Sequence, residues 1–362
     1  MRKYYIDNIR WITIVLVVIY HVFYMFNSVI TEGVIGPVTS AHWQDHIQYI
    51  LYPWFMVILF IVSGMCARYY LDSHTVKEFI RARTRKLLVP STIGVFVFGW
   101  IQGYFNMAFS GAFHNLPETL PPVVSYLIMS VSGIGVLWTI QVMWIFSIIL
   151  ILIRKIEKGR LRTGGKKINI IWLLLLGIPV WAAAQVLNTP VICVYRFGIY
   201  GFCFLLGYYV FSHDEVTDIL KKYCIPLLAA AAVLGTAYTV IYYGQDYAKD
   251  PTVNCPLAIA YAWIACLALI GCVKRWYDRT DSLSAFMTGK SFGLYIFHYL
   301  ALSIAAYVLT RYTHMNGVGI YVLSAAAAFA GGILLYEIIS RIPFLRWCTL
   351  GIKRRNKCLK II

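Results

Sequence analysis

The chain has 362 residues, of which 60% are hydrophobic and only 13% charged, a balance that excludes an ordinary soluble globular protein. A formal charge of +17 raises nucleic acid as a partner, but the basic residues fall in alternate loops, as membrane topology requires, so no nucleic acid is expected. Nine cysteines show no Cys-x-x-Cys or Cys/His ligand spacing and mostly lie in apolar runs, where they read as small packing residues with no metal and no disulfide framework.

Apolar runs of about twenty residues recur along the whole chain, each long enough to cross a ~30 Å hydrocarbon core. Ten spans are predicted, over 9–30, 49–71, 87–109, 134–153, 168–187, 190–211, 223–243, 255–273, 286–309 and 318–340. The expected fold class is therefore all-α, a polytopic integral membrane protein with about ten transmembrane helices. No loop exceeds about twenty-five residues, so one transmembrane domain over 1–362 is expected, with no appended soluble domain. The first run is too long for a cleavable signal peptide, and no small-residue cleavage site follows it.

Loop charge sets the orientation. The segment 72–86 holds Lys77, Arg81, Arg83, Arg85 and Lys86, and 154–167 holds Arg154, Lys155, Lys158, Arg160, Arg162, Lys166 and Lys167. Lys221, Lys222, Lys274, Arg275 and Arg279 mark the next two loops on that side. The tail adds Arg341, Arg346, Lys353, Arg354, Arg355, Lys357 and Lys360. Opposite them, 31–48 and 110–133 carry no Lys or Arg, and the later loops only Lys249 and Arg311. Both termini are therefore expected in the cytoplasm, with the protein in the cytoplasmic membrane. The bare loops contain Glu32, His42, Asp45, His46, His114, Glu118 and the Pro121-Pro122 pair, which read as solvated connectors or as contacts to a substrate outside the membrane.

The first span carries Arg10 at its leading end and His21 deep inside it. Eleven residues are almost three helical turns, so the two share one face about 16 Å apart along the axis. The stripe on that face reads Arg10, Ile14, Val17, His21, Tyr24, Ser28. An ionisable group inside a membrane is expensive, and its presence is a functional-site hypothesis by default. With the orientation above, His21 and His298 both lie about 18 Å from the cytoplasmic end of their spans, and Gln141 and Arg196 come out near the same level, at about 20 Å. The competing reading is hydrogen-bonded packing between helices for the histidines and Gln141, and snorkelling to the outer interface for Arg196.

A second cluster is predicted at the cytoplasmic end. Asp7 stands one turn before Arg10, Arg68 closes the second span, and Arg83, Arg85 and Lys86 open the third. Glu337, near the inner end of the last span, is an expected partner for one of these cations. Positive-inside anchoring explains most of this charge; it explains Arg10 less well, because Arg10 shares the face of His21. An imidazole among apolar groups is held neutral and can act as a general base toward a hydroxyl that attacks an acyl group. A basic mouth suits a ligand carrying phosphates. A pantetheine-type arm has about the length of the ~16 Å gap between Arg10 and His21.

These residues resemble a known family. Tyr5-Ile6-Asp7-Asn8-Ile9-Arg10, then ten residues and His21, resembles the Arg-x10-His signature of the membrane acyltransferase-3 family. Phe60-Ile61-Val62-Ser63-Gly64 resembles its apolar-Ser-Gly motif, and Arg83-Thr84-Arg85-Lys86-Leu87-Leu88-Val89-Pro90 its basic entry to the third helix. Leu137-Trp138 is similar to its Leu-Trp motif and Tyr295-Ile296-Phe297-His298 to its Tyr-x-x-His motif. Tyr336-Glu337 with Arg341 resembles the closing segment of the glucan-succinylating branch. The family often has two arginines three apart before the proline; here they are Arg83 and Lys86, and a lysine lacks the bidentate fork.

The resemblance implies an O-acyltransferase that moves an acetyl or succinyl group from cytoplasmic acyl-CoA to a hydroxyl of an extracytoplasmic or membrane-associated acceptor, commonly a carbohydrate. Arg10 and His21 would be the key pair, with His21 as base. Arg83, Arg85, Lys86 and Arg68 would bind the donor. His298, Gln141, Arg196, Trp138 and Tyr24 would line the acceptor side. Asp7, Glu337, Ser63 and Gly64 would be structural near the inner face. Acyl-CoA would be a co-substrate, with no tightly bound cofactor and no metal. Expected partners are acyl-CoA, membrane lipid, and a glycan, lipid-linked glycan or small hydroxyl compound. A secondary transporter or flippase would use the same buried residues, although no inverted repeat or matched pair of interrupted helices is visible. A non-catalytic acyl-CoA sensor is a third reading.

Overall fold

A computed structural model describes residues 2–30, 33–115, 117, 119–161, 168–190 and 194–353. Glu32, Glu118, Arg162, Lys166, Lys167, Arg354, Arg355, Lys357 and Lys360 lie outside the described residues.

In chain order, α1 spans Tyr4–Met25, α2 His46–Leu71, α3 Val76–Ser110, α4 Pro122–Ser132 and α5 Trp138–Glu157. Then come α6 at Ile170–Ala184, a small antiparallel hairpin of β1 Asn188–Pro190 and β2 Val194–Arg196, and α7 at Phe197–Phe211. The chain continues through α8 Asp214–Lys222, α9 Cys224–Tyr242, α10 Pro256–Trp276, α11 Ser282–Tyr312, α12 Gly317–Arg341 and α13 Pro343–Leu350. Eight of these, α1, α2, α3, α5, α9, α10, α11 and α12, are long and apolar enough to cross a membrane. Their outward faces expose large apolar side chains such as Leu152, Val233, Val240, Val322 and Leu334, the surface a helix presents to lipid.

Two of the shorter helices, α6 and α7, stand where the fifth and sixth spans are expected, and local chemistry shortens them. Pro179 cannot donate to the Leu175 carbonyl, so the helix steps at Leu176 within α6. Leu187 has a positive φ of 56° and Asn188 turns its amide back to the Ala184 carbonyl at 2.9 Å, which ends α6. The chain then makes the hairpin, so α7 begins at Phe197 instead of at residue 190. The bare stretch 110–133 is likewise not only a connector. Its second half is α4, which runs back along α3 at very close range: a Cβ on Gly103 would lie 1.7 Å from the Met129 carbonyl, and one on Gly133 1.7 Å from that of Gly99.

The centre of the molecule is α2, buried on nearly every side between Leu51 and Met65 as a helix apolar all round must be. It is flanked by α1, α7, α9 and α10. Gly64 and Gly207 let α2 and α7 touch backbone to backbone, since a Cβ on either would come within 2.0 Å of a carbonyl oxygen of the other helix. The first helix packs against α2, α10, α11 and α12, so the stripe carrying Arg10 and His21 faces protein.

Candidate active site

The site is built on two helices 277 residues apart in sequence. His21 of α1 and His298 of α11 meet with 3.2 Å between His21 Nδ1 and His298 Nε2. His298 is fully buried; His21 keeps partial access to open space. The Nδ1 of His21 also lies 2.8 Å from the Val17 carbonyl, and the Nδ1 of His298 lies 3.0 Å and 2.9 Å from those of Leu294 and Tyr295. Aromatic rings close around the pair: Tyr20, Tyr24 and Tyr299 have centroids 5.2, 6.3 and 5.0 Å from the His21 ring. Tyr24 therefore stands at the site, as its place on the stripe implies.

Toward the other end of α1, Arg10 bonds the Cys66 Sγ at 2.9 Å and pairs with Asp7 at 3.5 Å, the expected contact one turn back. Arg83 of α3 donates to both the hydroxyl and the carbonyl of Ser63, each at 3.2 Å, and lies over the Phe79 ring. Lys86 lies 4.2 Å from the centre of the Phe292 ring. Arg10 is near enough to Arg83 and to Lys86 for its charge to act on both. The residues Thr84–Leu88 form a π-helical turn just before Pro90, which has no N–H to donate to the carbonyl of Lys86. Three cations thus gather where, apart from Asp7, the groups they touch are neutral: a thiol, a serine and two phenyl faces. Such a cluster has unused N–H donors and excess positive charge, the properties that hold phosphate.

The other expected donor residues divide. Arg68 is held by Asp72 at 3.0 Å and lies over Tyr208, which ties it to the end of α2. The side chain of Arg85 is exposed. Glu337, expected against a cation of that cluster, instead makes its ion pair with Lys290 of α11, a residue within the ninth predicted span.

The expected layer of four polar groups resolves differently. His21 and His298 meet. Gln141 donates to the Ser91 carbonyl of α3 at 2.6 Å and acts as a tie between helices. Arg196 is buried at the end of β2, one residue before α7, and bonds the Asn254 side chain at 2.8 Å and the Val253 carbonyl at 3.3 Å. It does not lie five or six residues inside a helix, because the hairpin occupies that length; its role here is to hold the connection between α9 and α10. Trp138 packs on Tyr195 and Tyr200, beside the same hairpin. The residue just before the Leu137-Trp138 motif does touch the site: Tyr295 donates to the Val136 carbonyl at 2.6 Å, fixing the approach to α5 one turn from His298.

Between Arg10 and His21 the shared face is packed. Ile14 and Val17, which lie between them, are 5% and 1% exposed. The two polar ends are open to ligand only if this apolar stretch moves, or if the ligand passes along another wall. Cys66, Lys290, Phe292 and Tyr299 complete the surroundings and are not evident from sequence, since a lone Cys, Phe or Tyr in an apolar run carries no periodic signal. Among the described residues no group of three or more His, Cys, Asp or Glu side chains is placed to hold a metal ion.

Comparison with known proteins gives one finding. The family model described as an acyltransferase domain matches residues 3–337. No curated protein and no solved structure matches the chain.

Proposed function

We infer the reaction from one premise: the chain belongs to the membrane acyltransferase-3 family and is a multi-pass membrane acyltransferase. We propose that it transfers an acetyl- or succinyl-class group from cytoplasmic acyl-CoA to a hydroxyl of an extracytoplasmic or membrane-associated carbohydrate. The observation that carries this reading is a partly accessible imidazole, His21, and a cluster of three cations, Arg10 on the same face of α1 with Arg83 and Lys86 of α3, at two levels about 16 Å apart.

In this reading Arg10, Arg83 and Lys86 hold the phosphates of coenzyme A, and the thioester end of the donor reaches His21. The acceptor hydroxyl gives its proton to the imidazole as its oxygen attacks the thioester carbonyl carbon. Collapse of the tetrahedral intermediate breaks the C–S bond. The thiolate leaves with the proton that His21 took, so acyl-CoA and alcohol become ester and free coenzyme A. The tyrosines around His21 offer aromatic faces and hydroxyls of the kind that bind sugars. The alternation of basic and bare loops supports cytoplasmic termini in the plasma membrane, with donor and acceptor arriving from opposite sides.

Purified protein in lipid nanodiscs, given acetyl-CoA or succinyl-CoA and a pool of cell-surface glycans, is expected to release free coenzyme A with a matching acyl mass on a glycan. Movement of a solute across liposomes with no coenzyme A release from any acceptor pool would replace this reading by transport.

A further inference from the structure

The two histidines carry more information than proximity, because three backbone carbonyls decide which of their nitrogens bears the proton. A carbonyl oxygen only accepts, so a ring nitrogen within 3.0 Å of one is favourable as N–H and repulsive as a lone pair. The Nδ1 of His298 faces two such oxygens, those of Leu294 and Tyr295. Its proton therefore sits on Nδ1, and Nε2 is left as a lone pair. That lone pair points at His21 Nδ1, 3.2 Å away. The Nδ1 of His21 meets a second acceptor, the Val17 carbonyl, at 2.8 Å. Both neighbours of this nitrogen are acceptors, so His21 also carries its proton on Nδ1. The remaining nitrogen, His21 Nε2, is the basic one.

We propose that His298 is a positioning residue: its Nε2 lone pair, together with the Val17 carbonyl, holds His21 in the Nδ1–H tautomer and turns Nε2 toward the substrate. The inference rests on the reading of His21 as the base and deepens it. When His21 takes the acceptor's proton on Nε2, the resulting imidazolium keeps its Nδ1–H bond to His298, which stays neutral and gains or loses nothing. The part resembles that of the carboxylate that orients the histidine of a hydrolase triad, but here an uncharged ring does it inside a membrane, where an unpaired carboxylate is costly to bury. His298 can hold this place because its ring is wholly enclosed and both of its nitrogens are engaged.

The test compares two substitutions of one residue. His298→Leu fills the space without an acceptor, whereas His298→Gln retains a carbonyl oxygen near the position of Nε2. The leucine variant is expected to lose about 10- to 100-fold in kcat, on the scale of removing the group that orients a metal-bound histidine. KM for acyl-CoA should stay within about twofold, and the glutamine variant should recover most of the loss. Equal losses in the two variants, or an unchanged kcat in the leucine variant, would overturn the proposal. Nitrogen-15 NMR of histidine-labelled wild-type protein gives a second readout that does not depend on turnover. The resonances of His21, assigned by their absence in His21→Asn, should report a protonated Nδ1; a protonated Nε2 would refute the assignment. His21→Ala separates the two claims: if it remains active, the base reading fails, whereas loss of activity there with normal turnover in His298→Leu defeats the positioning role alone.

Discussion

Arg83 rests its two terminal nitrogens on a single residue, Ser63, one on the hydroxyl and one on the carbonyl, each at 3.2 Å. This joins the serine-glycine motif of α2 to the basic entry of α3 and holds the guanidinium within reach of the Arg10 charge. If this guanidinium grips a donor phosphate, Arg83→Ala should weaken acyl-CoA binding about tenfold or more, the scale of a hydrogen bond to a charged group. Arg83→Lys should fall between, since lysine keeps the charge and loses the fork. Calorimetric titration with acyl-CoA measures both, and an unchanged affinity in the alanine variant would remove Arg83 from the donor site.

His21→Ala should lower acyl transfer by about 100-fold or more, the contribution of a general base, while protein level and membrane insertion stay normal. Coenzyme A release by the purified variant is the measurement. Retained turnover would mean that another group takes the proton.

Ile14 lies on the stripe between the cation cluster and His21 and is nearly closed off from solvent. A donor arm that runs between these two ends must pass it. Ile14→Trp is therefore expected to reduce kcat severely while acyl-CoA still binds the Arg10–Arg83–Lys86 cluster, and Ile14→Ala is expected to accept longer acyl chains. Transfer rates for acetyl, succinyl and longer donors, set beside binding, distinguish a passage here from one along another wall.

Gly64→Ala should fail to give stable protein, because the new methyl would lie 2.0 Å from the Phe204 carbonyl and 2.9 Å from the Tyr208 nitrogen, both backbone atoms that cannot step aside. Gly289→Ala, in α11 with nothing within 4 Å, should be neutral or stabilising by about 0.5–1 kcal/mol through helix propensity. Melting of both variants in detergent tests the contrast.

The helix that carries His298 starts at a cap outside the membrane. Asp281 accepts the Ser284 N–H at 2.8 Å and the Tyr277 hydroxyl at 2.8 Å, and these bonds hold its carboxyl below the usual carboxylate range. A depressed folded value means that the contribution is complete above the unfolded value of about 4 and is lost as pH falls through the folded one. Asp281→Asn keeps an N-cap but removes the titration. Its melting temperature should fall less between about pH 5 and about pH 3 than that of the wild type. The effect should be small because the group is exposed to solvent.

The sequence by itself determined what is local. Apolar runs of membrane length marked ten segments, eight of which are long helices and two of which the structure shortens, and the 3.6-residue period put Arg10, His21 and Tyr24 on one face of α1. The ordered motifs named the family that the match over residues 3–337 bears out. Tertiary structure alone decided which side chains meet. Depth along a helix is legible from residue counting, but rotation about the axis and the choice of neighbour are not, because lipid is as apolar as the side chains and exerts no pull between helices. That choice falls to small residues such as Gly64 and Gly207, which allow close approach, and to single polar contacts. So Gln141 and Arg196, counted to the level of His21, bond Ser91 and Asn254 instead, while Glu337 finds Lys290. Of the four groups expected in one layer, His21 and His298 form the pair, because α1 packs directly on α11 and their rings are turned into that interface.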